Sequence, residues 1–326
     1  MKNILLIKGG GGSEHDISLI SADYIKSKID SSKFNILSIE ITKENKWLLE
    51  GVECSLGFDK KLSTAKDSYH IDAVIPCFHG YPGETGDIQS LLDLIKVPYF
   101  GCSPETSKIC FNKLLTKLML ENAGLKTAPF LNLNNQNDLD AAIKFQEQHG
   151  IVYIKATNQG SSVGCYKADS SEDVRKYISE AFKFSPFVII EKGIVARELE
   201  VAVFEYKGEV HITKPGEISC PGDFYTFEEK YSDNSETKTF VVAPDIGEET
   251  IRKIHTQSQI AFQSLKLRHL SRIDFFLTPN GEVIINEINT FPGHTSISMF
   301  PTMMENHGVK YSDFMQNNLE LLTQKS

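Results

Sequence analysis

The chain has 326 residues, 40% of them hydrophobic and 24% charged, an ordinary balance for a globular protein long enough to bury the cores of two or three domains. A net charge of -9 argues against nucleic acid or an acidic membrane surface as the main partner, while leaving room for local basic sites that hold phosphates. No segment is apolar for long enough to cross a bilayer, and the six cysteines (54, 77, 102, 110, 165, 220) form no CxxC pair, so a cytoplasmic protein with reduced thiols and no zinc is expected.

In chain order, residues 2–7 form a short apolar strand, too short and too soon interrupted by Lys8 to serve as a signal peptide. Residues 9–12 are a glycine turn, and Ser13, Glu14, His15 and Asp16 open a helix with Ile17, Ile20, Tyr24 and Ile25 on one face. Glu14 at that opening can act as a helix cap or hold a ligand. Strands at 35–41 and 72–76 complete βαβ-type material, which predicts a parallel sheet with ligands at strand C-termini. Neither the dinucleotide fingerprint nor a Walker A sequence is present, so a nucleotide would have to be held in another way. The loop 79–87, HGYPGETGD, suits close approach of backbone to a ligand or a plain connection to the helix at 88–94. A helix follows at 112–121, where Lys113 and Lys117 lie one turn apart and read as a solvated face, with Gly124 as its stop.

The middle of the chain changes character. After a helix at 139–148, the strand 152–155 ends in Lys155 and leads through the small, polar loop 156–162 into a strand at 163–166. Backbone N–H groups and hydroxyls in such a loop can fold over phosphates, with Lys155 adding a point charge. A helix around 172–184 precedes the strand 187–191, which ends in Glu191, an exposed carboxylate suited to an adenine amino group or an ordinary strand end. Residues 197–203 alternate as a half-buried strand with a neighbour at 209–213. The segment 221–232, PGDFYTFEEKYS, has no regular period but four aromatics, as a packed lid would. A long helix at 247–265 feeds a hairpin, IDFFL–TPNG–EVIIN, and a helix at 312–322 closes the chain. On that hairpin Arg272 and Asp274 share one face of the first strand, and Glu287 and Asn289 share one face of the second. If the faces coincide, two carboxylates, an amide oxygen and a guanidinium converge beside Pro292-Gly293 as a hard-cation site; otherwise the hairpin is merely solvated.

Taken in one order, HGYPGETGD, IKATNQGSSVG, EKGIVARELEVAV, DFYTFEEKY, RIDFFL and NEINTFPGHTSISM resemble the motifs of the D-alanine-D-alanine ligases of the ATP-grasp superfamily, over nearly the whole chain. The resemblance implies an α/β and α+β fold in three domains: an N-terminal parallel-sheet domain (1–101) that helps bind amino acids, and two ATP-grasp subdomains (102–190 and 191–326) that clasp ATP. By motif position, Glu191, Lys192, Ile194 and Glu198 would bind adenosine, and Lys113, Lys155, Ser162 and Lys230 the phosphates. Asp274, Glu287 and Asn289 would hold two Mg²⁺ or Mn²⁺ ions. Glu14 would take the ammonium of the first D-alanine and His79 its carboxylate region, with Ser161 and Tyr231 linking Glu14 to the lid. Arg272 and the Gly293 N–H would form the oxyanion site, and Ser298 and Met299 would meet the second D-alanine.

The implied activity is ATP-dependent synthesis of D-alanyl-D-alanine for peptidoglycan, in a cytoplasmic homodimer. The alternatives are another amino-acid pair, D-serine or D-lactate as second substrate, or an ATP-binding protein without catalysis. Four residues depart from the family pattern: Ala156 where proline usually follows the lysine, Thr226 and Phe227 in the lid, and His294 where an apolar residue is usual.

Overall fold

The computed structural model describes residues 1–12, 14–219 and 237–324. The segment expected to form a lid, with Lys230 and Tyr231, lies outside them. No helix among the described residues is long and apolar enough to cross a membrane.

The first sheet is built on β1 (Lys2–Gly9), whose Ile4, Leu5, Leu6 and Ile7 are all fully buried. Such a continuous apolar run marks a strand covered on both faces. It pairs in parallel with β2 (Phe34–Ile41) on one side. The antiparallel strands β3 (Trp47–Leu49) and β4 (Val52–Glu53) extend that edge. A separate small sheet of β5 (Ser55–Leu56), β6 (Lys61–Ser63) and β7 (Ser68–His70), not anticipated from the sequence, precedes β8 (Ala73–Pro76), which lies parallel to β1 on its other side.

One sheet face packs on α1 (His15–Lys28) and on the chain's last helix, and the other on α2 (Asp87–Leu94). The inward face of α1 differs from the expected one. Ile20 is 55% exposed, whereas Ser18, Ser21, Ala22 and Ile25 are buried. The serines can turn inward because they are satisfied: Ser18 Oγ donates to the Cys77 carbonyl at 2.6 Å, and Ser21 Oγ meets His79 Nε2 at 2.8 Å.

The second sheet, reached through α3 (Pro104–Phe111) and α4 (Lys113–Asn122), is antiparallel in the order β11-β10-β12-β9. Its first strand is β9 (Phe130–Leu133), and α5 (Leu139–His149) leads to β10 (Val152–Ala156). Next, β11 (Cys165–Ala168) starts two residues later than expected, because Ser161, Ser162 and Gly164 all adopt positive φ and prolong the loop. Then α6 (Ser171–Ala181) packs with α5 on one face, and β12 (Val188–Lys192) completes the sheet.

The third sheet centres on β13 (Arg197–Tyr206), flanked by β14 (Glu209–Ile212), β15 (Gly216–Ser219) and β16 (Lys238–Phe240). The alternation expected of β13 does not hold: every residue from Leu199 to Phe204 is buried. Leu199, Val201 and Val203 pack with α7 (Glu248–Ser264) on one side. On the other side of β13, past the hairpin of β17 (Leu270–Leu277) and β18 (Val283–Asn289), Ala202 and Phe204 meet α8 (Met299–Asn306) and α9 (Tyr311–Gln324). Those last two helices also close the first sheet.

Candidate active site

The hairpin faces do coincide. Arg272 pairs with Asn289 and Asp274 with Glu287 across β17 and β18, and a register shift follows Asp274. A turn closed by Gly281 N–H to Thr278 O, with Gly281 at φ 79, starts the pairing at Leu277 and Val283, and the shift, with Asn286 as the extra residue, then places Glu287 rather than Asn286 opposite Asp274. Arg272 forks onto Asp274, with Nε to Oδ1 and a terminal nitrogen to Oδ2 both at 2.7 Å. Its Nε also lies 3.3 Å from Glu200 of β13, a carboxylate the sequence reading did not single out. Burial alone would lower the Arg272 pKa, but the charges of Asp274 and Glu200 raise it well above its usual value.

Asn289 Nδ2 donates to Asp274 Oδ2 at 3.0 Å, which directs its amide oxygen elsewhere. Among the described residues no group of three or more His, Cys, Asp or Glu side chains is placed to hold a metal ion by itself. A divalent ion here would therefore draw few oxygens from protein, namely from Asp274, Glu287 and Asn289, and the rest from phosphate and water. That donor set fits Mg²⁺ or Mn²⁺.

A second cluster lies between the second sheet and α4. Glu191 of β12 is 2% exposed, not exposed as expected, and Lys117 is likewise 2% exposed rather than on a solvated face. Lys117 Nζ sits 3.0 Å from Glu191 Oε2, and Lys155 Nζ sits 3.1 Å from Oε1. Burial raises the Glu191 pKa, but Lys155 and Lys117 outweigh it and hold the group below its usual value. For Lys155 the balance is the reverse: burial lowers and Glu191 raises, with a net rise. Asn112 ends α3 and caps α4, its Oδ1 accepting from the Leu114 and Leu115 N–H groups, which starts the new helix at Lys113. Lys113 then ties down the start of the 157–164 loop: its N–H donates to the Thr157 carbonyl at 3.1 Å and its Nζ to the Gln159 carbonyl at 2.6 Å. Burial lowers its pKa. Ser162, at φ 61, lies in this loop; Lys192 ends β12 and Ile194 follows it, both half-buried, and Glu198 is exposed on β13.

The third group comes from the first sheet and the turn after β18. Glu14 stands at the N-terminus of α1 but makes no side-chain cap; instead it accepts from Ser161 Oγ at 2.7 Å. Close by, Gly80 and Gly160 each leave room that a Cβ would fill 3.6 Å from Glu14 Oε2. His79 is buried, bonded to Ser21 and to the Phe291 backbone; burial lowers its pKa although the Glu14 charge raises it. Gly293 runs beside Ser298, where a Cβ would come 2.9 Å from Oγ. Ser298 Oγ accepts from Thr295 N–H at 3.0 Å, and the buried Met299 begins α8.

Glu84, half-buried in the 79–87 loop, accepts from Gly80 N–H at 2.7 Å. Burial and then the Glu14 charge push its pKa up to about 8. Because the folded value lies above the unfolded one, the proton is held more tightly in the folded chain, so Glu84's contribution is complete below the unfolded value and fades as pH rises towards 8. Glu84→Gln is therefore expected to flatten the fall in thermal midpoint of the ligand-free protein between pH 5 and 8. An identical pH profile for the variant would refute this.

Profiles described as D-ala D-ala ligase N-terminus and D-ala D-ala ligase C-terminus match residues 3–102 and 119–320. The chain belongs to the D-alanine–D-alanine ligase family. A D-alanine–D-alanine ligase of Aeromonas hydrophila is 50% identical, over 98% of this chain and 99% of its own. Among solved structures similar to this family member, D-alanyl-alanine synthetase A from Vibrio cholerae aligns with a TM-score of 0.93 and 44% identity, covering 99% of this chain and 98% of that one. The VanG D-Ala:D-Ser ligase from Enterococcus faecalis aligns with a TM-score of 0.89 and 28% identity, covering 98% and 99%. The fold of the chain is the ATP-grasp fold of these D-alanine–D-alanine ligases. Within this family member the sequence reading misjudged Lys117 as solvated and missed Glu84, Glu200 and Ser21. Among these Glu84 carried a signal, as an acid set between the glycines of its loop.

Proposed function

We propose that the chain joins two D-alanine molecules into D-alanyl-D-alanine with hydrolysis of ATP to ADP and phosphate, for peptidoglycan precursor synthesis in the cytoplasm, as a homodimer. The division into units 1–101, 102–190 and 191–326 belongs to the same reading. One observation carries it. Ser161, in the loop that Lys113 holds through the Gln159 carbonyl, donates to Glu14 at 2.7 Å, and Phe291, which follows the hairpin, lies with its ring 6.2 Å from that of His79, so the three groups border one another.

In this reading the first D-alanine sits with its ammonium on Glu14 and its carboxylate region towards His79. A carboxylate oxygen attacks the γ-phosphorus of ATP in line, and ADP leaves. Lys113, Lys155, Ser162 and Lys230 hold phosphate oxygens, while Glu191, Lys192 and Ile194 face adenine and Glu198 the ribose. When bound at Asp274, Glu287 and Asn289, two Mg²⁺ or Mn²⁺ ions supply charge neutralisation for the phosphates. The amine of the second D-alanine, its carboxylate on Ser298 near Met299, attacks the D-alanyl phosphate. Arg272 and the Gly293 N–H stabilise the charge that grows on the carbonyl oxygen; phosphate departs and the new amide nitrogen loses a proton. Tyr231, by its motif position, would serve to keep water from the acyl phosphate.

The test is phosphate release and product analysis with ATP, Mg²⁺ and D-alanine, D-serine, D-lactate or L-alanine. Release with D-alanine alone and recovery of D-alanyl-D-alanine is the expected result. Dependence on an L-amino acid, or no release with D-alanine, would overturn the reading.

Glu14→Gln isolates the first subsite. Its side chain caps nothing, so stability should stay within about 0.5 kcal/mol of the parent. A charged hydrogen bond contributes about 1.5–3 kcal/mol, so KM for the first D-alanine should rise roughly 10- to 100-fold with KM for ATP unchanged. Steady-state kinetics at saturating ATP checks this, and an unaltered D-alanine dependence would exclude Glu14 from the subsite.

A further inference from the structure

The turn between β18 and α8 must hold the Gly293 N–H and the Ser298 hydroxyl at fixed positions, yet its own bonds fix only its shape. Thr295 and Ser298 bond one another through Thr295 N–H to Ser298 Oγ, through their hydroxyls at 2.8 Å, and through Ser298 N–H to the Thr295 carbonyl at 3.1 Å. Two histidines connect this turn to the rest of the molecule. His79 bonds the Phe291 backbone, and His294, fully buried, places Nδ1 2.9 Å from Tyr311 Oη at the start of α9.

Both connections end on one side of α1. His79 meets Ser21, and the Tyr311 ring packs 5.4 Å from that of Tyr24. Ser21 and Tyr24 are three residues apart and so face the same way. The same helix begins beside Glu14.

We infer that His294 is a positioning residue: through Tyr311 it fixes the Gly293–Ser298 turn relative to α1, and so the acceptor subsite relative to Glu14. This deepens the proposed function and rests on it. The rings of Phe291, Phe300 and Tyr311 enclose His294 with centroids 4.7, 5.5 and 5.6 Å away. Its Nε2 is buried with no hydrogen-bond partner among the described residues, a cost of roughly 1–3 kcal/mol. A leucine would fill the same space without that cost. What it could not supply is direction, since apolar burial is non-directional whereas the bond to Tyr311 has a fixed length and angle. Burial and the neighbouring His79 push the His294 pKa down to about 3, so the ring is neutral wherever the enzyme is assayed.

Tyr311→Phe, His294→Leu and the double variant separate positioning from packing. Each single change leaves a buried polar group without its partner and should lower the thermal midpoint, whereas the double change removes both groups and should restore most of it. If His294 positions the turn, all three variants raise KM for the second D-alanine several-fold, up to about tenfold. They also release more than one phosphate per dipeptide, because a displaced acceptor lets water take the acyl phosphate; KM for ATP stays put. The decisive result is the double variant. Restored stability with a raised KM and excess phosphate release supports the inference, and restored stability with parental KM and stoichiometry overturns it. Parental kinetics in Tyr311→Phe overturns it as well. An unmutated chain that makes no D-alanyl-D-alanine would overturn the proposed function and this inference with it, and is told apart because it appears before any substitution.

Discussion

Arg272→Lys is expected to lower dipeptide formation roughly 10²–10³-fold while the chain still folds, the loss typical of removing one donor to a developing oxyanion. The guanidinium spans both Asp274 oxygens at 2.7 Å and reaches Glu200 at 3.3 Å, a fork that one ammonium cannot reproduce. Lysine nevertheless keeps a positive charge between the two carboxylates. Arg272→Met does not: it would leave Asp274 and Glu200 facing one another at a site where Glu200 is 5% exposed, at about 3–5 kcal/mol. Measured together, kcat and the thermal midpoint should therefore fall in different proportions, with kcat alone in the lysine variant and both in the methionine variant. Near-parental turnover in Arg272→Lys would reduce this residue to a structural counter-ion.

An equally large stability effect is expected at Glu191. Glu191→Gln removes the one carboxylate between Lys117 and Lys155, leaving two ammonium groups in a buried space. Breaking a buried pair in this way costs about 3–5 kcal/mol, or a fall in thermal midpoint of roughly 6–20 °C. The pH dependence has a definite sign. The folded Glu191 pKa lies below its unfolded value, so its stabilisation is present above the unfolded value and disappears as pH falls through the folded one. The variant should lose that acid-side slope. Adding Lys117→Met should recover most of the midpoint by removing the charge that lost its partner, whereas KM for ATP should remain high in both, since Lys155 is no longer held in place. Calorimetry across pH and ATP titration of the turnover decide it; a midpoint within a degree or two of the parent would mean that the lysines pair elsewhere.

Family, fold class and the hairpin's polar face were legible from residues alone, because each is written locally. A period of two along residues 270–277 and 283–289 determines which side chains of one strand share a face, and so put Arg272 with Asp274 and Glu287 with Asn289; whether the two pairs meet was left open and is decided by the register shift after Asp274. The glycine loops and the strand ends carrying Lys155 and Glu191 are local in the same sense. Tertiary structure decided what those charges do. Lys113 and Lys117 look like one solvated helical turn until Glu191 arrives from another sheet and makes burial of Lys117 affordable. The inward face of α1 takes in Ser18 and Ser21 beside Ile25 and leaves Ile20 outside, because a backbone carbonyl and a histidine from beyond β8 satisfy the serine hydroxyls. Glu14 resembles a cap until Ser161 claims its carboxylate. In each case the sequence determined the backbone path through hydrophobic periodicity and turn chemistry, whereas the state of a polar group depended on whether a partner distant in the chain could repay its desolvation, and only the folded arrangement supplies that partner.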